Sequence, residues 1–190
     1  MTRVDDHHVV MVLRDDSEGA AHRRQLQQAS EYDPLTRLLR RESGLRDLDA
    51  LLAYPQRGET RTALAYCDLD GFKRINDQHG HAVGDQVLTE TGARIRAIVR
   101  AQDLVIRMGG DEILVALAGV DHAQDAVHAG EKIADAVTRP IHVDEEDVSV
   151  TVSVGVVLAQ DGEATADVVV RADLAMYSAK KAGKNRVVLR

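Results

Sequence analysis

Apolar residues follow two different periods along this chain. Short apolar runs predict buried strands, and longer stretches with an apolar residue every three or four positions predict amphipathic helices. Leu88, Gly92, Ile95 and Val99, for instance, share one helical face. The predicted elements are a strand at 8–13, helices at 19–31 and 33–53, a strand at 62–67, helices at 72–78 and 82–100, strands at 104–108 and 113–117, a helix at 123–138, strands at 141–143 and 148–158, a helix at 165–182 and a strand at 186–189. This mixture predicts an α/β fold, with helices packed on a sheet.

The most informative local feature is a Gly-Gly pair between two apolar runs. Gly109 and Gly110 are typical of a two-residue type I′ hairpin turn, which needs positive φ at both central positions. Asp111 and Glu112 follow at once, and adjacent carboxylates on a bare turn suit Mg²⁺ and the phosphates it carries. Arg107 either reaches a phosphate or simply projects from the strand. From this segment alone, a solvent-exposed turn is an equally good interpretation.

Two more segments accompany the hairpin. Asp68–Leu88 reads DLDGFKRINDQHGHAVGDQVL, and Ala172–Arg186 reads ADLAMYSAKKAGKNR. In this order and spacing, the motifs closely resemble the GGDEF domain family, the diguanylate cyclases of bacteria, from about Tyr32 onward. The resemblance implies a palm fold similar to adenylyl cyclase catalytic domains, with a central five-stranded mixed sheet flanked by helices. It also implies an enzyme that condenses two GTP into cyclic di-GMP and two pyrophosphates.

The start of the chain differs in character from the rest. An apolar run in 8–13 followed by polar residues up to Glu18 resembles the last strand and exit motif of a PAS sensor domain. We therefore expect a C-terminal remnant of a PAS-like sensor at 1–18, a connecting helix at 19–31 and the GGDEF domain at 32–190.

The resemblance implies a metal site. Asp68, the backbone carbonyl of Leu69, and Asp111 would hold Mg²⁺, with Mn²⁺ as an alternative, and an oxygen-only ligand set is what Mg²⁺ prefers. Glu112 is expected near the attacking hydroxyl or a metal. Asp70 is better interpreted as the N-cap of the following helix.

The same resemblance assigns guanine recognition to Asn76 and Asp85. A carboxylate accepts the parallel N–H donors of guanine and repels the N1 lone pair of adenine. From spacing alone, a turn at Asn76 and an N-cap at Asp85 are the better interpretations. The surrounding motif favours guanine binding.

Phosphate handling is assigned to Lys73, Lys180 and Lys184, and Lys73 and Lys180 are also expected to assist catalysis together with Asp111 and Glu112. Lys180 and Lys184 are four residues apart, and share a helix face if the helix continues that far. The alternative is a basic helix C-terminus that interacts with the macrodipole.

A regulatory site is implied at Arg100 and Asp103. In the family, an Arg-x-x-Asp at this distance before the glycine pair binds the product cyclic di-GMP and inhibits the enzyme. The bare pattern is weak, and a charged helix end is the alternative interpretation.

Three residues depart from the family pattern. Ile113 stands where an aromatic residue is usual, Arg37 replaces a glycine and Arg40 replaces an asparagine. These departures keep open a catalytically degenerate domain that binds GTP or cyclic di-GMP and signals by contact. A third alternative is an enzyme silenced because its sensor is incomplete.

Composition narrows the class of partners. Acidic residues outnumber basic ones by 31 to 24, giving a net charge of −7, which disfavours a nucleic acid. The single cysteine, Cys67, is interpreted as a buried strand residue. No apolar run approaches the ~18 residues of a membrane span, and we expect a cytoplasmic protein. Each monomer would hold one GTP, so activity requires a homodimer.

Overall fold

The computed structural model describes residues 31–53, 60–143 and 146–190. Its helices are α1 (Arg41–Ala53), α2 (Phe72–His79), α3 (His81–Ile98), α4 (Ala123–Thr138) and α5 (Thr165–Lys181). Its strands are β1 (Leu39–Arg40), β2 (Arg61–Asp70), β3 (Leu104–Gly109), β4 (Glu112–Val120), β5 (Ile141–Val143), β6 (Glu146–Val148), β7 (Thr151–Leu158) and β8 (Arg186–Leu189). The predicted PAS remnant and the connecting helix lie outside the described residues, apart from Glu31.

The strands form a mixed central sheet in the order β1-β3-β4-β2-β7-β8. The outer pairs β1–β3 and β7–β8 are parallel, and the inner pairs are antiparallel. The expected five-stranded mixed sheet is therefore present, and the two-residue strand β1 adds a sixth member at its edge. Strands β5 and β6 form a separate small sheet.

Helices cover both faces of the central sheet. Alternate residues of β2 enter two different hydrophobic clusters, because successive side chains of a strand point to opposite faces. One cluster lies against α2, α3 and α4, and the other lies against α1 and α5. Leucine, isoleucine, valine and alanine dominate both clusters, as the low aromatic content requires.

The helix predicted at 33–53 begins only at Arg41. Asp33 accepts hydrogen bonds from the amide and the hydroxyl of Thr36, each at 2.8 Å, and the amide of Arg37 donates to the carbonyl of Asp33 at 2.9 Å. Aspartate side chains that bond the nearby backbone favour turns over helices. The first leucines of the pattern therefore lie in a turn and in β1.

Two strand boundaries also differ from the sequence prediction. The run predicted as one strand at 148–158 divides between β6 and β7. Strand β2 continues to Asp70, so Asp68 lies within the strand and not beyond its end.

The hairpin turn is shifted by one residue. Both glycines have positive φ as predicted, with values of 149° at Gly109 and 53° at Gly110. The register is irregular between Arg107 and Gly109, and Gly109 pairs with Glu112. The turn therefore centres on Gly110 and Asp111, which places a carboxylate at the tip itself.

Arg37 has a φ of 59°, a left-handed conformation that strains a residue with a side chain. We expect Arg37→Gly to stabilise the protein by about 0.5–1 kcal/mol, because relief of strain exceeds the extra entropy of glycine in the unfolded chain. Arg46→Gly, at an exposed position inside α1, should instead lose about 1 kcal/mol. Thermal or denaturant unfolding of both variants measures the difference. A loss of equal size in both would show that backbone strain at Arg37 is unimportant.

Candidate active site

The end of β2 and the β3–β4 turn lie side by side. Asp68 pairs with Glu112 of β4 on one side and with Ser153 of β7 on the other. The amide of Leu69 donates to the backbone carbonyl of Asp111 at 3.4 Å. The three residues predicted to hold Mg²⁺ are thus neighbours, although Asp68 and Asp111 are far apart in sequence.

The carboxylates of Asp68 and Asp111 are close enough to interact electrostatically. Burial, followed by the charge of Asp68, raises the pKa of Asp111 above its usual value. Lys180 Nζ lies 2.6 Å from Asp68 Oδ2. The carboxylate of Asp68 therefore already has a cation beside it, and the Asp68 side chain is only 9% exposed.

The donor set fits a hard divalent cation. Two carboxylates and a carbonyl supply only oxygen atoms, and Mg²⁺ commonly takes its remaining ligands from phosphate and water. Within 31–53, 60–143 and 146–190, no cluster of three or more histidine, cysteine, aspartate or glutamate side chains is arranged for a metal. A metal here would depend on the nucleotide for part of its coordination.

Two neighbours of Asp68 on β2 have contrasting environments. Burial raises the pKa of Cys67 to about 12, and the charge of Asp68 adds to this effect. The thiol is therefore an inert core group, as predicted. The hydroxyl of Tyr66 donates to Glu112 Oε2 at 3.1 Å. Burial and the nearby charge of Glu112 raise the pKa of Tyr66 far above its ordinary value.

The two predicted guanine-binding residues lie on adjacent helices. Asn76 is inside α2 and Asp85 is in the second turn of α3, so the simple turn and the N-cap are both ruled out. A Cβ added at Gly84 would lie 1.8 Å from Asn76 Oδ1. The amide of Asn76 therefore rests against the backbone of α3, immediately before Asp85. The sequence pattern did not single out this contact at Gly84.

The predicted phosphate-binding lysines come from two helices and one turn. Lys73 is exposed in the first turn of α2, and Lys180 extends from the last turn of α5. Helix α5 ends at Lys181, so Lys184 does not continue its face. The amide of Lys184 instead donates to the carbonyl of Ala179 at 3.1 Å, which closes the helix end.

Asp70 is not an N-cap. Gly71 occupies the cap position, with a φ of 76° and no side-chain cap bond. Asp70 accepts hydrogen bonds from the hydroxyls of Thr151 and Ser153, each at 2.8 Å, and from the amide of Asn185 at 3.0 Å. It therefore attaches the turn containing Lys184 to the centre of the sheet.

Arg107 does not simply project from its strand. Its guanidinium donates to Asp33 Oδ1 at 2.9 Å and twice to the carbonyl of Gly110, at 2.9 and 3.2 Å. Burial would raise the pKa of Asp33, but the hydrogen bonds from Thr36 and Arg107 lower it. Arg107 thus fixes the hairpin turn to the loop before α1, a contact that no local sequence pattern indicated.

Arg100 and Asp103 lie at the opposite end of the β3–β4 hairpin from its turn. Asp103 is buried and accepts from the amides of Arg100 and Ala118, at 2.8 and 3.0 Å. The exposed side chain of Arg100 borders a groove of about 610 Å³ that also includes His128 and Lys132. This groove is separate from the carboxylate cluster, and product binding there stays a prediction.

The departures from the family pattern have clear structural positions. Ile113 is 2% exposed and packs in the core beside Cys67. Arg40 Nε donates to the carbonyl of Tyr32 at 2.9 Å.

Comparisons with known proteins identify the family of this chain. The family model described as "Diguanylate cyclase, GGDEF domain" matches residues 30–186. The bifunctional diguanylate cyclase/cyclic di-GMP phosphodiesterase MucR of Pseudomonas aeruginosa is 37% identical over 163 residues, which are 85% of this chain and 24% of MucR. The diguanylate cyclase TpbB of the same species is 34% identical, over 89% of this chain and 38% of TpbB. This chain therefore spans well under half the length of these relatives.

Solved structures share the fold. The coiled coil and GGDEF domain of DgcB from Caulobacter crescentus, in complex with c-di-GMP, superposes with a TM-score of 0.85 at 29% identity, covering 92% of this chain and 93% of that one. The diguanylate cyclase SiaD of Pseudomonas aeruginosa, in complex with its activator SiaC, gives 0.81 at 36% identity, with coverages of 92% and 67%. None of the described helices is long and apolar enough to cross a membrane. The sequence motifs, the fold and these relatives together establish that this chain belongs to the GGDEF domain family.

Proposed function

We propose that this chain is a diguanylate cyclase, which condenses two GTP into cyclic di-GMP and two pyrophosphates. The main support is the meeting of Asp68, Asp111 and Lys180 near the end of the central strand β2, where opposite charges are held by three separate elements. Such a cluster has the chemistry needed to bind a metal-bound triphosphate. Relatives named as diguanylate cyclases support the same reaction.

Guanine would bind between α2 and α3. The carboxylate of Asp85 accepts the N1–H and N2–H donors of the base, and Asn76 bonds another edge. The close packing of Asn76 on Gly84 fixes its amide before any ligand arrives. Adenine presents a lone pair to the same carboxylate, so this pair of residues selects GTP over ATP.

The triphosphate would extend from α2 towards the end of α5. Lys73, Lys180 and Lys184 place positive charge along this path, and the Asp70 bond to Asn185 holds the last of them in place. Asp68, the Leu69 carbonyl and Asp111 would hold Mg²⁺. When bound, Mg²⁺ neutralises phosphate charge and lowers the pKa of the attacking hydroxyl.

The reaction joins two nucleotides, so two loaded chains must face each other. The 3′-hydroxyl of each GTP attacks the α-phosphorus of the other, its proton passes to solvent, and the bond to pyrophosphate breaks. Glu112 lies beside the predicted metal ligands and is our candidate for the group nearest the attacking hydroxyl. The connecting helix predicted at 19–31 would hold the two chains together.

The direct test is incubation of the purified protein with GTP and Mg²⁺, followed by mass spectrometry of the nucleotides. Cyclic di-GMP and pyrophosphate in a 1:2 ratio would support the cyclase. Nucleotide binding without product would instead support a degenerate domain, the alternative that Arg37, Arg40 and Ile113 keep open.

Asp111→Asn should lower turnover about 100-fold or more, because it removes a metal ligand while keeping the shape of the side chain. The same change should raise the thermal midpoint when Mg²⁺ is absent. The raised pKa means that the folded state disfavours the ionised form, so ionisation of Asp111 at neutral pH reduces stability.

Asp161→Asn, at an exposed loop position, is the matched control and should change neither quantity. Normal turnover by folded Asp111→Asn would remove Asp111 from the site.

Arg100→Ala should weaken cyclic di-GMP binding and relieve product inhibition while retaining the initial rate. Arginine both stacks on guanine and bonds its acceptor atoms, and alanine does neither. Arg46→Ala, an exposed arginine on α1, serves as the control. Calorimetric titration with cyclic di-GMP gives the affinity directly. Unchanged affinity in Arg100→Ala would leave Arg100 and Asp103 as a charged helix end.

Specific activity should rise with protein concentration. The connecting helix predicted at 19–31 is short, and a helix of ~12–15 residues is marginal alone, so we expect a weak dimer that is largely monomeric at low micromolar concentration. Fusion of a strong parallel coiled coil before Glu31, in the right register, should raise the activity further. Sedimentation and rate measurements over about a hundredfold dilution test this. A constant specific activity for a proven monomer would contradict the two-chain reaction.

A further inference from the structure

Tyr66 is the polar member of an otherwise apolar cluster. Its side chain is 6% exposed on the face of β2 that packs against α1 and α5. The rest of this cluster consists of aliphatic side chains and methionines. A tyrosine hydroxyl in such surroundings needs a hydrogen-bond partner, because an unpaired buried donor destabilises the fold.

The partner is Glu112, whose Oε2 accepts from the hydroxyl of Tyr66 at 3.1 Å. Tyr66 pairs with Leu114 across the β2–β4 ladder, and Asp68 pairs with Glu112. Glu112 is therefore the diagonal neighbour of Tyr66, and all four residues share one face of the sheet. The glutamate side chain therefore runs back from the hairpin turn along the β2–β4 ladder towards Tyr66.

This contact decides where the carboxylate of Glu112 lies. A free glutamate side chain samples many rotamers, and ordering it carries an entropic penalty. The buried hydroxyl of Tyr66 binds Oε2 of Glu112, which leaves Oε1 for a ligand at the hairpin. The ordering is complete before substrate arrives, and such preorganisation is how supporting residues assist a reaction.

We propose that Tyr66 is a positioning residue for Glu112, and that it orients this carboxylate for the reaction between the two GTP molecules. The proposal rests on the cyclase function proposed above. Tyr66 acts through Glu112 and does not touch the substrate. Its loss should therefore affect turnover and leave GTP binding almost unchanged.

Tyr66→Phe removes only the hydroxyl and keeps the ring that fills the core. We expect kcat to fall about tenfold, in the range expected when a hydrogen bond to a charged group is lost, while KM for GTP stays within about twofold. Tyr177→Phe is the matched control and should behave like wild type, because the ring of Tyr177 is exposed on α5. Initial rates of pyrophosphate release at one fixed protein concentration give both constants.

A second pair of variants tests whether the effect passes through Glu112. Glu112→Asp keeps the charge but withdraws the carboxylate by one methylene, out of reach of the Tyr66 hydroxyl. Adding Tyr66→Phe to Glu112→Asp should then change kcat by less than about twofold. If Tyr66→Phe lowers kcat about tenfold in the Glu112→Asp background as well, Tyr66 does not act through Glu112 and the proposal is wrong.

The outcomes separate the two levels of the argument. If wild type makes cyclic di-GMP and Tyr66→Phe matches its kcat, the positioning role fails and the cyclase stands. If Tyr66→Phe loses thermal stability, GTP affinity and turnover together, Tyr66 is a packing residue and the proposal is overturned. If wild type makes no cyclic di-GMP at any protein concentration, the cyclase function fails and the positioning role fails with it.

Discussion

The pairing of β2 along both of its edges determines the candidate active site. Backbone ladders to β4 and β7 place Asp68 between Glu112 and Ser153, so this buried carboxylate has no freedom to shift along the sheet. Helix α5 is equally constrained, because a Cβ at Gly155 would lie 2.0 Å from the amide nitrogen of Met176. The position of Lys180 relative to Asp68 is therefore set by the packing of the α5 main chain on β7. Packing of this kind tolerates little change in volume.

Elements with a strong hydrophobic period of their own could be predicted from sequence. Helix α4 and strand β8 have the bounds that the pattern predicted. The segment 33–40 could not be predicted in this way, although its leucines fit a helix. There the side chain of Asp33 bonds the backbone of Thr36 and the guanidinium of Arg107, and these bonds favour a turn. Arg107 is 74 positions from Asp33 in the sequence, so the local sequence around Asp33 does not reveal this contact.

The candidate site also contains residues that the sequence indicated and residues that it did not. Motifs predicted Asn76, Asp85, Asp68, Asp111 and Glu112 as site residues, because each stands in a short segment of recognisable spacing. The residues that hold them were not identifiable, since their partners are distant in sequence: Tyr66 bonds Glu112 46 positions later. Asp70 shows the limit most clearly. Its position before a helix favoured an N-cap, yet the folded sheet brings two hydroxyls and an amide to it from β7 and beyond.

The bond from Asn185 to Asp70 also has a consequence for the order in which the site forms. The two residues are 115 positions apart, and the turn they fasten contains Lys184 and Asn185, both at positive φ. A ribosome adds roughly 5–20 residues per second, so Asp68 and Asp70 emerge many seconds before this turn exists. During that interval β2 can pair with β4, but the turn that carries Lys184 has not been made. A nascent chain therefore completes its candidate site only after nearly the whole domain has been synthesised.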